Sequence, residues 1–135
     1  MAKEKEQYFE GVGRRKRAVA RVRITQVKKD HGIRVNKKQL KEYFHTPELI
    51  TITNAPLEVT GTQKNFSITA HIKGGGQSGQ ADAFQLGLSR ALVKFNGEFQ
   101  KSLRDLDYLK RDPRKKERKK PGLKKARKSP QWSKR

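Results

Sequence analysis

The chain has 135 residues, enough for one compact domain and a segment outside it. Its 34 Lys and Arg against 13 Asp and Glu give a formal charge of +21, an imbalance that strains a compact globule unless a polyanion neutralises it. The absence of cysteine excludes a disulfide framework, a zinc knuckle and a thiol nucleophile, and no apolar run approaches the roughly 18 residues of a membrane span.

In chain order, Met1 to Glu6 is short, charged and too acidic for a typical transit peptide, and no apolar signal-peptide core follows it. Gln7 to Gly11 reads as an edge strand, and Gly11 and Gly13 are expected to loosen the chain before the cluster Arg14-Arg15-Lys16-Arg17. A period of two follows. Ala18, Ala20, Val22 and Ile24 fall on one face, with Arg17, Val19, Arg21 and Arg23 on the other, predicting a half-buried strand with an arginine-bearing outer face. Asp30-His31-Gly32 reads as a turn and Ile33 to Asn36 as a short partner strand. Leu40, Tyr43 and Phe44 recur at helical spacing, and Thr46-Pro47-Glu48 resembles a helix start. Asn54-Ala55-Pro56 is expected to break the chain before a strand at Leu57 to Thr60, turned by Gly61-Thr62-Gln63. Phe66, Ile68, Ala70 and Ile72 predict the clearest strand, with Ser67, Thr69, His71 and Lys73 outward, and Gly74-Gly75-Gly76 ends it. A helix is predicted next, with Phe84, Leu88, Ala91, Leu92 and Phe95 on one stripe and Asp82, Gln85, Ser89 and Lys94 opposite. Asn96-Gly97 reads as its C-cap, and a short helix then places Phe99, Leu103 and Leu106 on one side. The body is therefore expected to be a mixed α/β domain whose small sheet is covered on one face by helices.

The charge is uneven. Residues 110–135 hold fourteen basic and two acidic residues, a net of +12, and the other 109 residues carry +9. The basic runs Arg114-Lys115-Lys116-Glu117-Arg118-Lys119-Lys120 and Lys124-Lys125-Ala126-Arg127-Lys128 are interrupted by Pro113, Pro121, Gly122 and Pro130. With so few apolar residues to bury, this segment is expected to order only on a polyanion. Extended from Asp112, it reaches on the order of 80 Å, more than the width of a small domain.

Gly74-Gly75-Gly76-Gln77-Ser78-Gly79 matches G-x-G-x-x-G after a strand and before a helix, with Glu98 about 20 residues on. No second parallel strand follows the helix, and the Gly-Lys-Ser/Thr ending of a nucleotide loop is missing, so nucleotide binding is rejected. Two readings of the loop stay open: a phosphate of a nucleic acid at the helix start, or glycines that only permit a tight turn. His31, His45 and His71 have no second ligand or nucleophile at telling spacing, and the acids form no evident pair, so neither a metal site, a cofactor nor a catalytic residue is expected. Arg14 to Arg17 with Arg21 and Arg23 is a charge run with almost no acid in its own segment, which suits phosphate contact better than a merely solvated face. A nucleoid protein shares this composition, but the tail lacks Lys/Ala/Pro repeats and the body a recognition-helix motif.

Taken together, these motifs resemble the small-subunit ribosomal protein S-nine family, of bacterial or organellar type. The resemblance is carried by residues 11–22, by Val35-Asn36 with Glu42-Tyr43-Phe44, by residues 74–81 with Ser89-Arg90-Ala91-Leu92, and by Arg111-Asp112-Pro113-Arg114, residues 117–120, residues 122–127 and the ending Ser133-Lys134-Arg135. It implies an α+β two-layer sandwich like domain 2 of ribosomal protein S-five, containing a left-handed βαβ crossover, with residues 1–109 as the rRNA-binding domain and residues 110–135 as an extended tail. It implies a non-enzymatic protein in the head of the small subunit of a cytoplasmic or organellar ribosome, on the 3′ major domain of the rRNA and near proteins S-seven, S-ten and S-fourteen. The expected rRNA contacts are Arg14, Arg15, Lys16, Arg17, Arg21, Arg23, Lys73, Gly75, Gly76 and Gln77, with Arg114, Lys115, Lys116, Arg118, Lys119, Lys120, Lys124, Lys125, Arg127 and Lys128 in the tail. Ser133, Lys134 and Arg135 are expected at the anticodon stem-loop of P-site tRNA. The sequence departs from the family pattern at Asp82, where a small neutral residue is usual, and at Pro121 and Trp132, where aromatic residues (Phe in the second case) are expected.

Overall fold

The computed structural model describes residues 8–27, 32–63 and 65–111. They form five strands, β1 (Tyr8–Arg15), β2 (Ala18–Gln26), β3 (Ile33–Val35), β4 (Lys38–Gln39) and β5 (Phe66–Lys73), with four helices, α1 (Leu40–Tyr43), α2 (Pro47–Thr60), α3 (Gln77–Phe95) and α4 (Phe99–Asp105). The sheet runs β1-β2-β5-β3-β4 and is mixed: β3 lies parallel to β5, and the other neighbours are antiparallel. Helices cover one face. This is an α+β two-layer sandwich.

The period-two pattern of β2 and β5 decides which face is covered. Ala18, Ala20, Val22 and Ile24 are fully buried, as are Phe66, Ile68, Ala70 and Ile72 within 3%. They meet Ala81, Ala83, Phe84, Leu88, Ala91 and Leu92 of α3, which together close a single core. Arg21, Thr69, His71 and Lys73 face the other way and stay exposed.

Gly11 and Gly13 do not loosen the chain. They lie inside β1, where a Cβ on Gly11 would sit 2.0 Å from the Gly87 carbonyl oxygen, and one on Gly13 1.8 Å from that of Ala83. Strand and helix thus touch backbone to backbone. Arg90 Nη1 donates to the Val12 carbonyl at 2.7 Å and Lys94 Nζ to that of Glu10 at 2.6 Å, so α3 also occupies acceptors on the outer edge of the sheet.

The strand expected at Leu57 to Thr60 is helical, and Pro56 lies within α2 rather than ending it. Proline cannot donate to the carbonyl four residues back, here Ile52. Gln85 Nε2 of α3 donates to that carbonyl instead, at 3.1 Å. The β-branched run reads as strand on propensity, yet Thr51 and Thr60 donate back into the helix, to the carbonyls of Pro47 and Pro56. Gly61, at φ 68°, ends α2, with Thr62 N–H returning to the Leu57 carbonyl.

Three smaller expectations also change. The partners of β3 are β4 and, in parallel, β5, reached through α1 and α2, while residues 28–31 of the expected turn lie outside the described residues. Ser89 is fully buried and Gln85 half-buried, because α2 packs on the side of α3 that the helical period left to solvent. The expected C-cap of α3 is in place: Asn96 N–H donates to the Leu92 carbonyl at 2.9 Å, while its Oδ1 accepts from Glu98 N–H at 3.0 Å at the start of the next helix. Leu103 is buried, but Leu106 is 51% exposed just past the end of α4.

Candidate nucleic-acid interface

The sheet register assembles the open face. Glu10 opposes Arg23, which opposes Thr69, which opposes Arg34; one step along, Val12, Arg21 and His71 make a second row. Arg14, Val19 and Lys73 make a third. Among the described residues, six cationic or imidazole side chains from four strands therefore share a face with a single carboxylate. Arg34 and His71 were not expected among the contacts, and only the pairing of β3 with β5 shows that Arg34 belongs with Arg23.

Some of these cations are held. Glu10 accepts from Arg21 Nε at 3.0 Å on one oxygen and from Arg23 Nε at 3.3 Å on the other. The hydrogen bond from Arg21, opposed by desolvation and assisted by both positive charges, holds the Glu10 carboxyl below its usual range. A depressed value stabilises the folded state above the ordinary carboxylate range and is lost as pH falls through it, so the cluster is complete at neutral pH. Arg15 differs from its neighbours. It turns inward, 15% exposed, with Nε 3.4 Å from Asp82 Oδ2. The acids that balance this basic run come from β1 and α3, beyond the segment in which sequence reasoning looked for them.

The β1–β2 turn is Lys16-Arg17, both exposed, with Lys16 at φ 54°. The glycine loop packs directly behind it. Gly74 and Gly75 take φ 77° and 68°, a Cβ on Gly74 would lie 2.5 Å from the Arg17 carbonyl oxygen, and one on Gly75 would lie 3.2 Å from Ala18. The tight-turn reading of the loop is thereby satisfied. The same packing sets exposed Gly76 and Gln77, at the start of α3, beside the exposed hairpin tip.

A hydrogen-bonded chain fixes this arrangement. Asn36, at φ 48°, behaves as an extra rung of β3: Nδ2 donates to the Ile72 carbonyl and Oδ1 accepts from Ile72 N–H, each at 2.9 Å. Asn36 Nδ2 also reaches Tyr43 Oη at 3.4 Å, Tyr43 donates to Gln80 Oε1 at 2.7 Å, and Gln80 Nε2 donates to the Gly74 carbonyl at 3.1 Å. Three motifs far apart in sequence are one structural unit.

Beyond α4 the chain returns to the hairpin, where Lys110 lines a cleft with Arg14, Arg15, Asp82, Gln85, Leu86, Asp107 and Tyr108. The remaining expected contacts, Arg114, Lys115, Lys116, Arg118, Lys119, Lys120, Lys124, Lys125, Arg127, Lys128, Ser133, Lys134 and Arg135, lie outside the described residues, as do Pro121 and Trp132. Among the described residues no group of three or more His, Asp or Glu is placed to hold a metal ion, and no helix is long and apolar enough to cross a membrane.

The sequence model of the family described as ribosomal protein S9/S16 matches residues 13–135. The chain belongs to the ribosomal protein S9/S16 family. It is thus a structural constituent of the ribosome that binds rRNA, in a family of ribosome components rather than catalysts. The match opens at Gly13, so Tyr8 and Glu10 precede the part of the chain that carries the family pattern.

Proposed function

We propose that this chain is the S-nine-type member of the family, of bacterial or organellar origin, seated in the head of the small subunit of a cytoplasmic or organellar ribosome on the 3′ major domain of the rRNA. Residues 1–109 act as the anchoring domain. Arg14, Lys16, Arg17, Arg21, Arg23 and Lys73 meet phosphates from the open face and hairpin, and Gly75, Gly76 and Gln77 approach the backbone at the start of α3. Arg15 joins them through its pairing with Asp82, which braces the hairpin on α3. Residues 110–135 thread through rRNA toward the P site, with Ser133, Lys134 and Arg135 at the anticodon stem-loop of the tRNA, and proteins S-seven, S-ten and S-fourteen are the neighbours.

The observation that carries this reading is the packing of the glycine loop against the Lys16-Arg17 turn, which makes one cationic surface from two sequence motifs. Lys110, in the cleft with Arg14, supports a tail that continues that surface. Deleting Ser133 to Arg135 tests the finer part. Small subunits carrying the truncated chain should assemble normally, bind P-site tRNA modestly more weakly, and show a shallower salt dependence through lost phosphate contacts. Unchanged tRNA affinity at several salt concentrations would remove the tail from the P site.

A further inference from the structure

One feature of the open face does not fit a plain phosphate-binding surface. Tyr8, at the start of β1, is 50% exposed, and the Arg23 guanidinium carbon lies 4.7 Å from its ring centroid. Arg21 and Arg23 are both tied through Nε to Glu10, whose side chain is 24% exposed against 57% and 41% for the two arginines. The register explains the grouping: Tyr8, Glu10 and Val12 alternate onto the open face of β1, opposite Thr25, Arg23 and Arg21. A site that only gathered phosphates would lose attraction by including a carboxylate, and would gain nothing from an exposed ring. The carboxylate does something else. It bonds two guanidinium groups side by side, one of them with its central carbon 4.7 Å from the ring centroid, so an aromatic ring and a cation are already in contact before any ligand arrives.

We propose that Tyr8, Glu10, Arg21 and Arg23 form a site for one unpaired nucleobase of the RNA, with the base stacking on the Tyr8–Arg23 platform and its neighbouring phosphate meeting Arg21. The proposal rests on the rRNA-binding reading and extends it to the structure of the RNA bound. A base in a duplex has both faces covered by its neighbours; an unpaired one offers them to aromatic rings and arginine planes. Glu10 is a positioning residue. It touches no RNA and acts by fixing both guanidinium groups. Thr69 and His71, across the sheet from Arg23 and Arg21, lie on the same face and supply polar groups near the edge of such a base.

The test compares the full-length chain with three variants on two probes of one sequence, a single-stranded RNA of about 12 nucleotides and its paired duplex. The unaltered chain binds both through charge. Tyr8→Leu keeps apolar bulk at a half-exposed position but removes the stacking face; it should weaken single-strand binding roughly 5- to 100-fold and leave duplex binding within about twofold. Tyr8→Phe should match the unaltered chain on both probes. Glu10→Gln separates positioning from charge: removing an acid tightens both complexes if only charge matters, whereas loss of positioning weakens the single-strand complex while the duplex complex tightens. Equal effects of Tyr8→Leu on the two probes, or equal tightening of both by Glu10→Gln, would overturn the proposal. Absence of RNA affinity in the unaltered chain would sink the rRNA reading itself, and this site with it.

Discussion

Lys16 holds the left-handed backbone region at φ 54° in a hairpin turn where glycine would be free of strain. That conformation costs an L-residue about 1–2 kcal/mol, part of which a glycine would give back as unfolded-state entropy. Lys16→Gly is therefore expected to raise stability by about 0.5–1 kcal/mol while weakening rRNA binding at low salt. Thermal unfolding and RNA titration of the same variant check the two signs. A more stable variant that binds as tightly as before would take Lys16 out of the contact set. The same backbone region recurs at Asn36-Lys37, the β3–β4 turn, with φ of 48° and 69°. At residue scale the sequence displayed which side chains are charged but not which are held: nothing near Arg15 or Arg23 in the chain names Asp82 or Glu10, because each pairing is made by the fold.

Among the elements, α2 was least legible, for a definite reason. Pro56 and the β-branched residues around it signal a break and a strand on local grounds, and the helix survives through a donor contributed by α3. Gln85→Leu should leave the Ile52 carbonyl without that donor and destabilise the domain by about 1–3 kcal/mol. Adding Pro56→Ala returns a backbone N–H to the same carbonyl, so the double variant should recover much of the loss. Chemical denaturation of the single and double variants reads this coupling, and full additivity would show that Gln85 does not act through Ile52. By contrast β2 and β5 were legible residue by residue, since strict alternation leaves only one way to bury Ala18, Ala20, Val22 and Ile24 against Phe66, Ile68, Ala70 and Ile72. Gly11 and Gly13 carry no such periodic signal. What makes them necessary is the backbone of α3, more than 65 residues further on.

On the scale of the whole molecule, charge is sorted by layer. One sheet face and the hairpin tip are cationic, the helices close the core on the other face, and the family match runs from that hairpin to Arg135. RNA binding was legible in the charge excess and in ordered motifs, and so were Arg14, Lys16, Arg17, Arg21, Arg23 and Lys73 of the proposed surface; the places of Arg34 and His71 beside them were not, because they depend on strand pairing between distant segments. Reactivity of individual lysines tests that sorting most directly. Lys16, Lys73 and Lys101 are all exposed in the free chain, the first two on the proposed rRNA surface and the third on α4. Acylation of free protein and of assembled small subunits, read by mass spectrometry, should show Lys16 and Lys73 protected on assembly while Lys101 keeps its reactivity. Protection of Lys101 with continued reactivity of Lys16 and Lys73 would place the rRNA on the helical side and contradict the account.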